Sequence, residues 1–321
     1  MSGVLVTGAT TPLGRALVRS LLDDEGTSAV LAVAAEEAWP FEPDDRLTYL
    51  RVDLTRSRGI RQLLFGPARD LGVTAVVHSA HHRRAGDRGS RVHRLNVEST
   101  RELLHLAERH PTIRRFVFRS YAAVYLVDAE EPTLIGEDHP LNLSPRATQQ
   151  DRDRVEADLT VCTRMGMAPL HIVVLRCAEL LAPESGSPLW DYLQSRVCLR
   201  PLGYDPMLNV ISIADTVAAS RLALRTESQG VFNVPGLDTL PLSAAVGAWG
   251  RVGLALPGPA LGPFYRLRAA LVGAEFIYSP NRFRFHYSGV LDGERARREL
   301  GYEPHHGIDW PVRTLRSAPP I

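Results

Sequence analysis

Val4-Leu5-Val6-Thr7-Gly8-Ala9-Thr10-Thr11-Pro12-Leu13-Gly14-Arg15-Ala16-Leu17-Val18 decides how the rest of the chain reads. Val4–Thr7 is a short apolar run of the kind that forms a buried strand. Pro12–Leu22 then takes up helical spacing, with proline at its opening, where a missing N–H costs nothing. Between them lies Gly-x5-Gly, from Gly8 to Gly14. A glycine at a tight turn beside a helix N-terminus makes an anion site that suits a pyrophosphate. Gly8, Thr10, Thr11, Pro12, Leu13 and Gly14 are therefore the candidate cofactor loop.

Moving outward, the first 180 residues alternate apolar runs with amphipathic stretches. Ala29–Ala34, Leu47–Val52, Val73–His78, Arg115–Arg119 and His171–Leu175 read as further strands. Arg56–Phe65, Val92–Arg109 and Gln149–Arg164 read as helices. This βαβ alternation predicts a Rossmann-type, doubly wound parallel sheet covered on both faces. Later, Asp215–Arg225 reads as a helix, Val231–Val234 as a strand and Glu294–Leu300 as a polar helix. The Pro- and Gly-punctuated remainder predicts a smaller C-terminal lobe. The expected division is 1–177 plus 206–236 for the dinucleotide domain, and 178–205 plus 237–321 for a substrate lobe.

The 321 residues carry a formal net charge of +1, which gives no global argument for nucleic acid or membrane binding. All 37 basic residues are arginine, so Schiff-base chemistry and a P-loop lysine are excluded. Cys162, Cys177 and Cys198 form no C-x-x-C pair and read as reduced thiols of a cytoplasmic protein. The N-terminus enters a strand directly, with no basic-then-apolar leader. Val252–Tyr265 is a charge-free run of 14 residues, but Pro257, Pro259 and Pro263 break it, so no membrane span is expected.

Two acids fit dinucleotide geometry. Glu36, just after the second strand, is placed to accept from adenosine ribose hydroxyls. Asp53, after the third, is placed to accept from an adenine amino group, with Leu54 beside it. Both also read as solvated loop acids. No arginine lies between Ala29 and Phe41 to receive a 2′-phosphate, which favours NAD over NADP.

Together these pieces resemble the extended short-chain dehydrogenase/reductases of the NAD-dependent epimerase/dehydratase group. VLVTGATTPLGRALV resembles the family's TGxxGxxG loop, and VDLTR, with Asp53, its adenine-contact turn. VVHSAH resembles the fourth-strand motif, which implies that Ser79, Ala80 and His81 lie beside the cofactor. LNVEST, with Asn96, resembles NVxGT. FVFRSYAAVY resembles the fifth-strand serine motif, with Ser120 assigned to the cofactor. VLRCAELLAP resembles LRxxNxYGP, which implies that Cys177, Ala178 and Glu179 face the substrate. NVISIADTVAAS, GVFNVPG and ARRELGYEP also have family counterparts.

The chain departs from that pattern where the chemistry sits. The family pairs a tyrosine with a lysine four residues later on one helix face. The phenol exchanges a proton with substrate while the ammonium favours its ionised form. Here those positions hold Arg146 and Gln150. The family's serine before the Ala pair becomes Tyr121, and Ser120 falls one step earlier, on the opposite strand face. Thr11 replaces the loop's middle glycine, and either crowds a phosphate or donates to it. Two functions follow. One is NAD(H) binding without standard hydride transfer. The other is an active oxidoreductase or epimerase on a small substrate, by family analogy a nucleotide sugar. That second reading uses Tyr121 as acid and Arg146 as the cation beside it.

His81–Arg94 holds five arginines after the fourth strand and reads either as an anion clamp for substrate, through Arg83 and Arg84, or as a solvated loop. No aromatics interleave with it, so nucleic acid is not expected. His78, His81 and His82 lack a converging third ligand, so no metal is expected. By resemblance, helices 92–109 and 149–164 imply a homodimer.

Overall fold

A computed structural model describes residues 2–37, 42–84, 86–145, 147–272, 276 and 278–312. The apolar runs become the strands of one seven-stranded parallel sheet. The first five are β1 (Ser2–Thr7), β2 (Thr27–Ala34), β3 (Leu47–Arg51), β4 (Val73–His78) and β5 (Arg115–Tyr121). His171–Cys177 and Gly230–Val234 complete it, giving the order β3-β2-β1-β4-β5 followed by those two. The chain reverses its direction of winding between β1 and β4. That switch point opens a crevice at the carboxyl ends of the strands.

Period-2 alternation divides the core. Val4, Val6, Val30 and Ala32 pack on one face against α1 (Pro12–Leu22) and helix Ile213–Arg225. Leu5, Leu31 and Val33 pack on the other against Ile60, Leu63, Leu103 and Leu104 of helices Ser57–Leu63 and Ser99–Glu108. Both faces are therefore apolar, which is why the sequence shows near-continuous apolar runs there.

The second lobe has its own core of Leu189, Tyr192, Val210, Leu242, Leu261 and Phe285. It carries a three-stranded sheet of Asp238–Pro241, Met207–Ile211 and Glu179–Leu180. Two features cross the boundary read from sequence. Met207–Ile211, assigned to the dinucleotide domain, pairs within the second lobe's sheet. Leu291, Ala296, Leu300 and Tyr302, assigned to the substrate lobe, pack into the core of the large sheet. Polar helix Glu294–Leu300 thus closes the edge beside Gly230–Val234. The proline-broken 252–265 stretch forms strand Val252–Leu256 and the start of helix Gly258–Val272. No described helix is long and apolar enough to cross a membrane.

Candidate functional site

The glycine loop is built by close approach. Gly8 adopts φ +70°, and a Cβ there would sit 3.0 Å from the Ala80 Cα. A Cβ on Gly14 would lie 2.2 Å from the Gly8 carbonyl oxygen. Thr11 is the N-cap of α1: its hydroxyl donates to the Gly8 carbonyl at 2.9 Å and accepts from the Gly14 N–H at 3.0 Å. Its backbone is extended (φ −67°), so no glycine is required at that position. The hydroxyl hydrogen is committed to Gly8, so it does not go to a phosphate, the second of the two roles expected for Thr11. Pro12 brings no N–H, so Leu13 offers the first helix-opening donor without an internal partner.

This loop forms one wall of a groove of about 430 Å³. Glu36 stands at the end of β2 and Asp53 just past β3, with buried Leu54 on the floor. Burial works to raise the Glu36 carboxyl, but bonds from Thr10 (2.6 Å) and Arg83 outweigh it and hold the group below its usual range. The Thr55 hydroxyl (2.6 Å) and N–H (3.0 Å) do the same for Asp53.

Arg83 is the surprise of this groove. Its guanidinium pairs with Glu36 at 2.6 Å and with Glu184 at 2.9 Å, and donates to the Thr10 hydroxyl at 2.8 Å. The Arg83 carbonyl also accepts from the Gly186 N–H at 3.1 Å. Sequence left Arg83 and Arg84 as either an anion clamp for substrate or part of a solvated loop. Both line the first groove instead, and Arg83 bridges two carboxylates across it. A guanidinium from a distant loop thus reaches the very acid whose own neighbourhood in sequence holds no arginine.

Behind the loop, a chain of hydroxyls fixes His78. The Thr7 hydroxyl accepts from the N–H groups of Ser79 and Ala80, so its hydrogen goes to His78 Nδ1 at 2.8 Å. His78 Nε2–H then donates to Thr100 at 2.9 Å, and the Thr100 hydroxyl donates to the Asn96 carbonyl. Burial pushes His78 down to about 4, so this ring is neutral and structural. Ser79 is buried, donating its hydroxyl to the Thr7 carbonyl. Asn96 accepts from the His82 N–H at 2.9 Å and thereby shapes the β4 loop.

At the end of β5, alternation separates neighbours. Ser120 points away from the crevice and donates to Asp158, which pairs with Arg176 at 2.7 Å beneath helix Gln149–Cys162. Its assignment to the cofactor is corrected on that ground. Tyr121 points the other way. Arg119 donates to the Tyr121 hydroxyl at 3.0 Å, and the Arg154 guanidinium lies over the ring, 4.0 Å from its centroid. His81 meets the same ring edge-on at 5.5 Å. Burial, then the charges of Arg119 and Arg154, push His81 down to about 3. Arg146, expected beside Tyr121, lies outside the described residues. Gln150 is buried and donates its amide to the Gly186 carbonyl at 3.1 Å, which Arg154 also reaches at 2.8 Å.

A second cleft, of about 90 Å³, opens between the lobes and is lined by Ala122, the residue after Tyr121. Glu179 lines it and accepts from the Ser187 hydroxyl. Cys177 and Ala178, expected to face substrate, are buried instead: Cys177 lies against Arg119, and its thiol is pushed up to about 11 by burial. Arg284 enters from the second lobe, donating to the Ala123 carbonyl at 2.7 Å and pairing with Asp151 at 3.1 Å. Sequence reading overlooked Arg119, Arg154, Arg284 and Glu184. Two had a signal: Arg119 is two residues from Tyr121 on a strand, and Arg154 is four from Gln150 on a helix, so each shares a face with its partner.

A family model for the NAD dependent epimerase/dehydratase family matches residues 4–193. The chain belongs to this family. An uncharacterized protein of Mycobacterium tuberculosis is 28% identical over 309 residues, covering 94% of this chain and 80% of that protein. Its Mycobacterium bovis counterpart matches to the same extent. Among solved structures, the Bordetella bronchiseptica enzyme WbmH in complex with NAD+ superimposes with a TM-score of 0.71 at 17% identity, covering 96% of this chain and 94% of that one. The dTDP-glucose 4,6-dehydratase of Bacillus anthracis, in complex with NAD, gives 0.70 at 15% identity, covering 97% and 94%. WbmG of Bordetella bronchiseptica, in complex with NAD and UDP, gives 0.68 at 20%, covering 95% and 89%. These likenesses show the shared fold.

Proposed function

We propose that the chain binds NAD(H) in the first groove and does not run the family's Tyr/Lys proton exchange. The loop of Gly8 and Gly14 with the N-terminus of α1 would hold the pyrophosphate, Glu36 the adenosine ribose and Asp53 the adenine. That several structural neighbours are complexes with NAD supports this reading. The observation that carries the loss of chemistry is Gln150. Where the family needs an ammonium, a buried neutral amide is spent on the Gly186 carbonyl, and the chain has no lysine to take its place. When bound, a nicotinamide would supply a hydride acceptor or donor; this chain's residues would bind and orient it. The test is equilibrium titration with NAD and NADH, followed by a search for nicotinamide turnover with nucleotide sugars. Binding without turnover supports the proposal. Turnover at rates typical of enzymes refutes it.

A second reading is favoured by one contact, the bond from Arg119 to the Tyr121 hydroxyl. In it, Tyr121 is the acid of an active oxidoreductase or epimerase on a small, nucleotide-sugar-like substrate. Arg119 and Arg154 then take the place foreseen for Arg146. Tyr121→Phe would abolish turnover in this case and change nothing in the first. A homodimer is also proposed, through the outer face of helix Gln149–Cys162, where Leu143 and Leu159 are exposed.

A further inference from the structure

The second lobe presents an apolar outer face built from two strands and a helix. Strand Val197–Pro201 pairs in parallel with Val252–Leu256, with Val197 opposite Val252 and Leu199 opposite Leu254. Helix Gly258–Val272 lies along the other edge of Val197–Pro201. There the Tyr265 hydroxyl donates to the Leu199 carbonyl at 2.8 Å, and Arg268 donates to the Val197 carbonyl at 2.9 Å. Strand, strand and helix thus form one layer. Its inner face is closed: Cys198, Leu261 and Tyr265 are buried, and a Cβ on Gly253 would meet the Val246 side chain at 3.4 Å. Alternation then turns Val197, Val252 and Leu254 outward. On the helix, Phe264, Leu267 and Leu271 recur at i, i+3 and i+7, so they form an outer stripe beside the buried one. Leu271 is 74% exposed, Val252 66%, Leu267 56% and Phe264 51%. Arg268 lies one turn from both Phe264 and Leu271 and touches Val197, so the stripe adjoins the strands. Single exposed apolar residues are ordinary, but six on one layer form a patch that marks an interaction surface.

The charge of the layer points to what covers it. Stretches 192–204 and 239–274, which build it, hold Arg196, Arg200, Arg251, Arg266 and Arg268 and not one acid. The whole chain balances 37 basic residues against 36 acidic ones, so this excess is local. None of the five arginines forms an ion pair with a described residue. Arg196 and Arg266 are exposed, and Arg196 sits beside Val197 at the strand's start. A second copy seated on the same face would bring two such clusters together with no acid between them, which opposes self-association there. An apolar stripe flanked by guanidiniums instead suits a surface that offers acyl chains and phosphate groups together.

We propose that this layer docks on an anionic lipid surface. Phe264, Leu267 and Leu271 enter the boundary between headgroups and acyl chains, and the arginines reach the headgroup phosphates. The helix lies along the bilayer surface and does not cross it, since no described helix is long and apolar enough to do so. The surface belongs to the second lobe and does not rest on the cofactor reading.

The test is flotation of the full chain with two kinds of vesicle, phosphatidylcholine alone and phosphatidylcholine with about one third phosphatidylglycerol. The wild type should float with the phosphatidylglycerol vesicles, at least tenfold more weakly with phosphatidylcholine alone, and should be released by about 0.5 M salt, which screens the guanidiniums. Leu267→Glu combined with Leu271→Glu should weaken binding at least tenfold. Arg196→Gln combined with Arg266→Gln should weaken it at least fivefold. Met167→Glu, at an equally exposed apolar residue of the sheet lobe, should change nothing. Should a variant fail to fold, the lipid selectivity and salt release of the wild type still decide. No flotation, equal flotation with both vesicles, or undiminished flotation of the paired variants would overturn the assignment. So would self-association without flotation that the paired Glu variant abolishes, which would make the face an interface between copies. Because NAD titration is read separately, failure here leaves the cofactor proposal standing.

Discussion

Replacing Gly14 with alanine sets two effects of opposite sign against each other. Alanine in place of a helical glycine ordinarily stabilises by up to about 1 kcal/mol. At Gly14 the added Cβ meets the Gly8 carbonyl oxygen at 2.2 Å and the Ala9 Cα at 2.8 Å, where ordinary contact begins at 3.4 Å. These are backbone atoms and cannot rotate aside, and overpacking of this kind costs about 1–3 kcal/mol. Any retreat of Gly8 also breaks the Thr11 cap, worth about 1 kcal/mol. The clash wins, and Gly14→Ala should lose about 1–3 kcal/mol net, roughly the overpacking cost once cap loss and helix gain cancel. Gly247→Ala is the matched control. It lies in helix Leu242–Ala248 with nothing within 4 Å of its would-be Cβ, and should gain about 0.5–1 kcal/mol. Urea unfolding of both variants measures the pair. If Gly14→Ala is as stable as Gly247→Ala, the close packing of loop on helix is refuted.

Three more outcomes follow from named contacts. Asp158→Ala strands the Arg176 guanidinium in the core and should cost about 3–5 kcal/mol in thermal or urea unfolding, whereas Asp158→Ala combined with Arg176→Met should cost much less. His78 takes a proton near 6.5 when unfolded but only at about 4 when folded, so the unfolded state gains the proton first as pH falls. Its contribution is complete above pH 6.5 and is lost between 6.5 and 4, a fall of about 3 kcal/mol that a pH series of urea midpoints would show and that His78→Asn should flatten. Arg83→Gln frees Glu36 from a half-exposed bridge whose arm to that acid is worth at most about 1 kcal/mol, so NAD should bind up to about fivefold tighter; weaker binding would show that Arg83 holds the cofactor rather than competing for Glu36.

The sheet was legible because its signal is local. Val4, Val6, Leu5 and their counterparts on β2 alternate between two buried faces, and such runs carry their own period. The reversal of Ser120 and Tyr121 followed from the same alternation. What escaped was long-range. Nothing in the sequence near Glu36 announces Arg83, because the pairing depends on how the loop after β4 folds back over the groove. Nor does sequence tell that Thr11 spends its hydroxyl on Gly8, since a cap and a phosphate ligand call for the same residue. Arg154 was read as one charge on a charged helix. Only packing against Gly186 and Tyr121 turns it inward. The lobe boundary misled for a related reason: Met207–Ile211 is apolar enough for either sheet, and register with Asp238–Pro241 decides.

Stopped-flow absorbance of protein-bound nicotinamide is the direct test of binding without turnover. With NAD bound and UDP- or dTDP-sugars supplied in excess, a saturable binding isotherm and no growth of the reduced-nicotinamide band are expected. A reduced band forming within seconds, and lost in Tyr121→Phe, would contradict it.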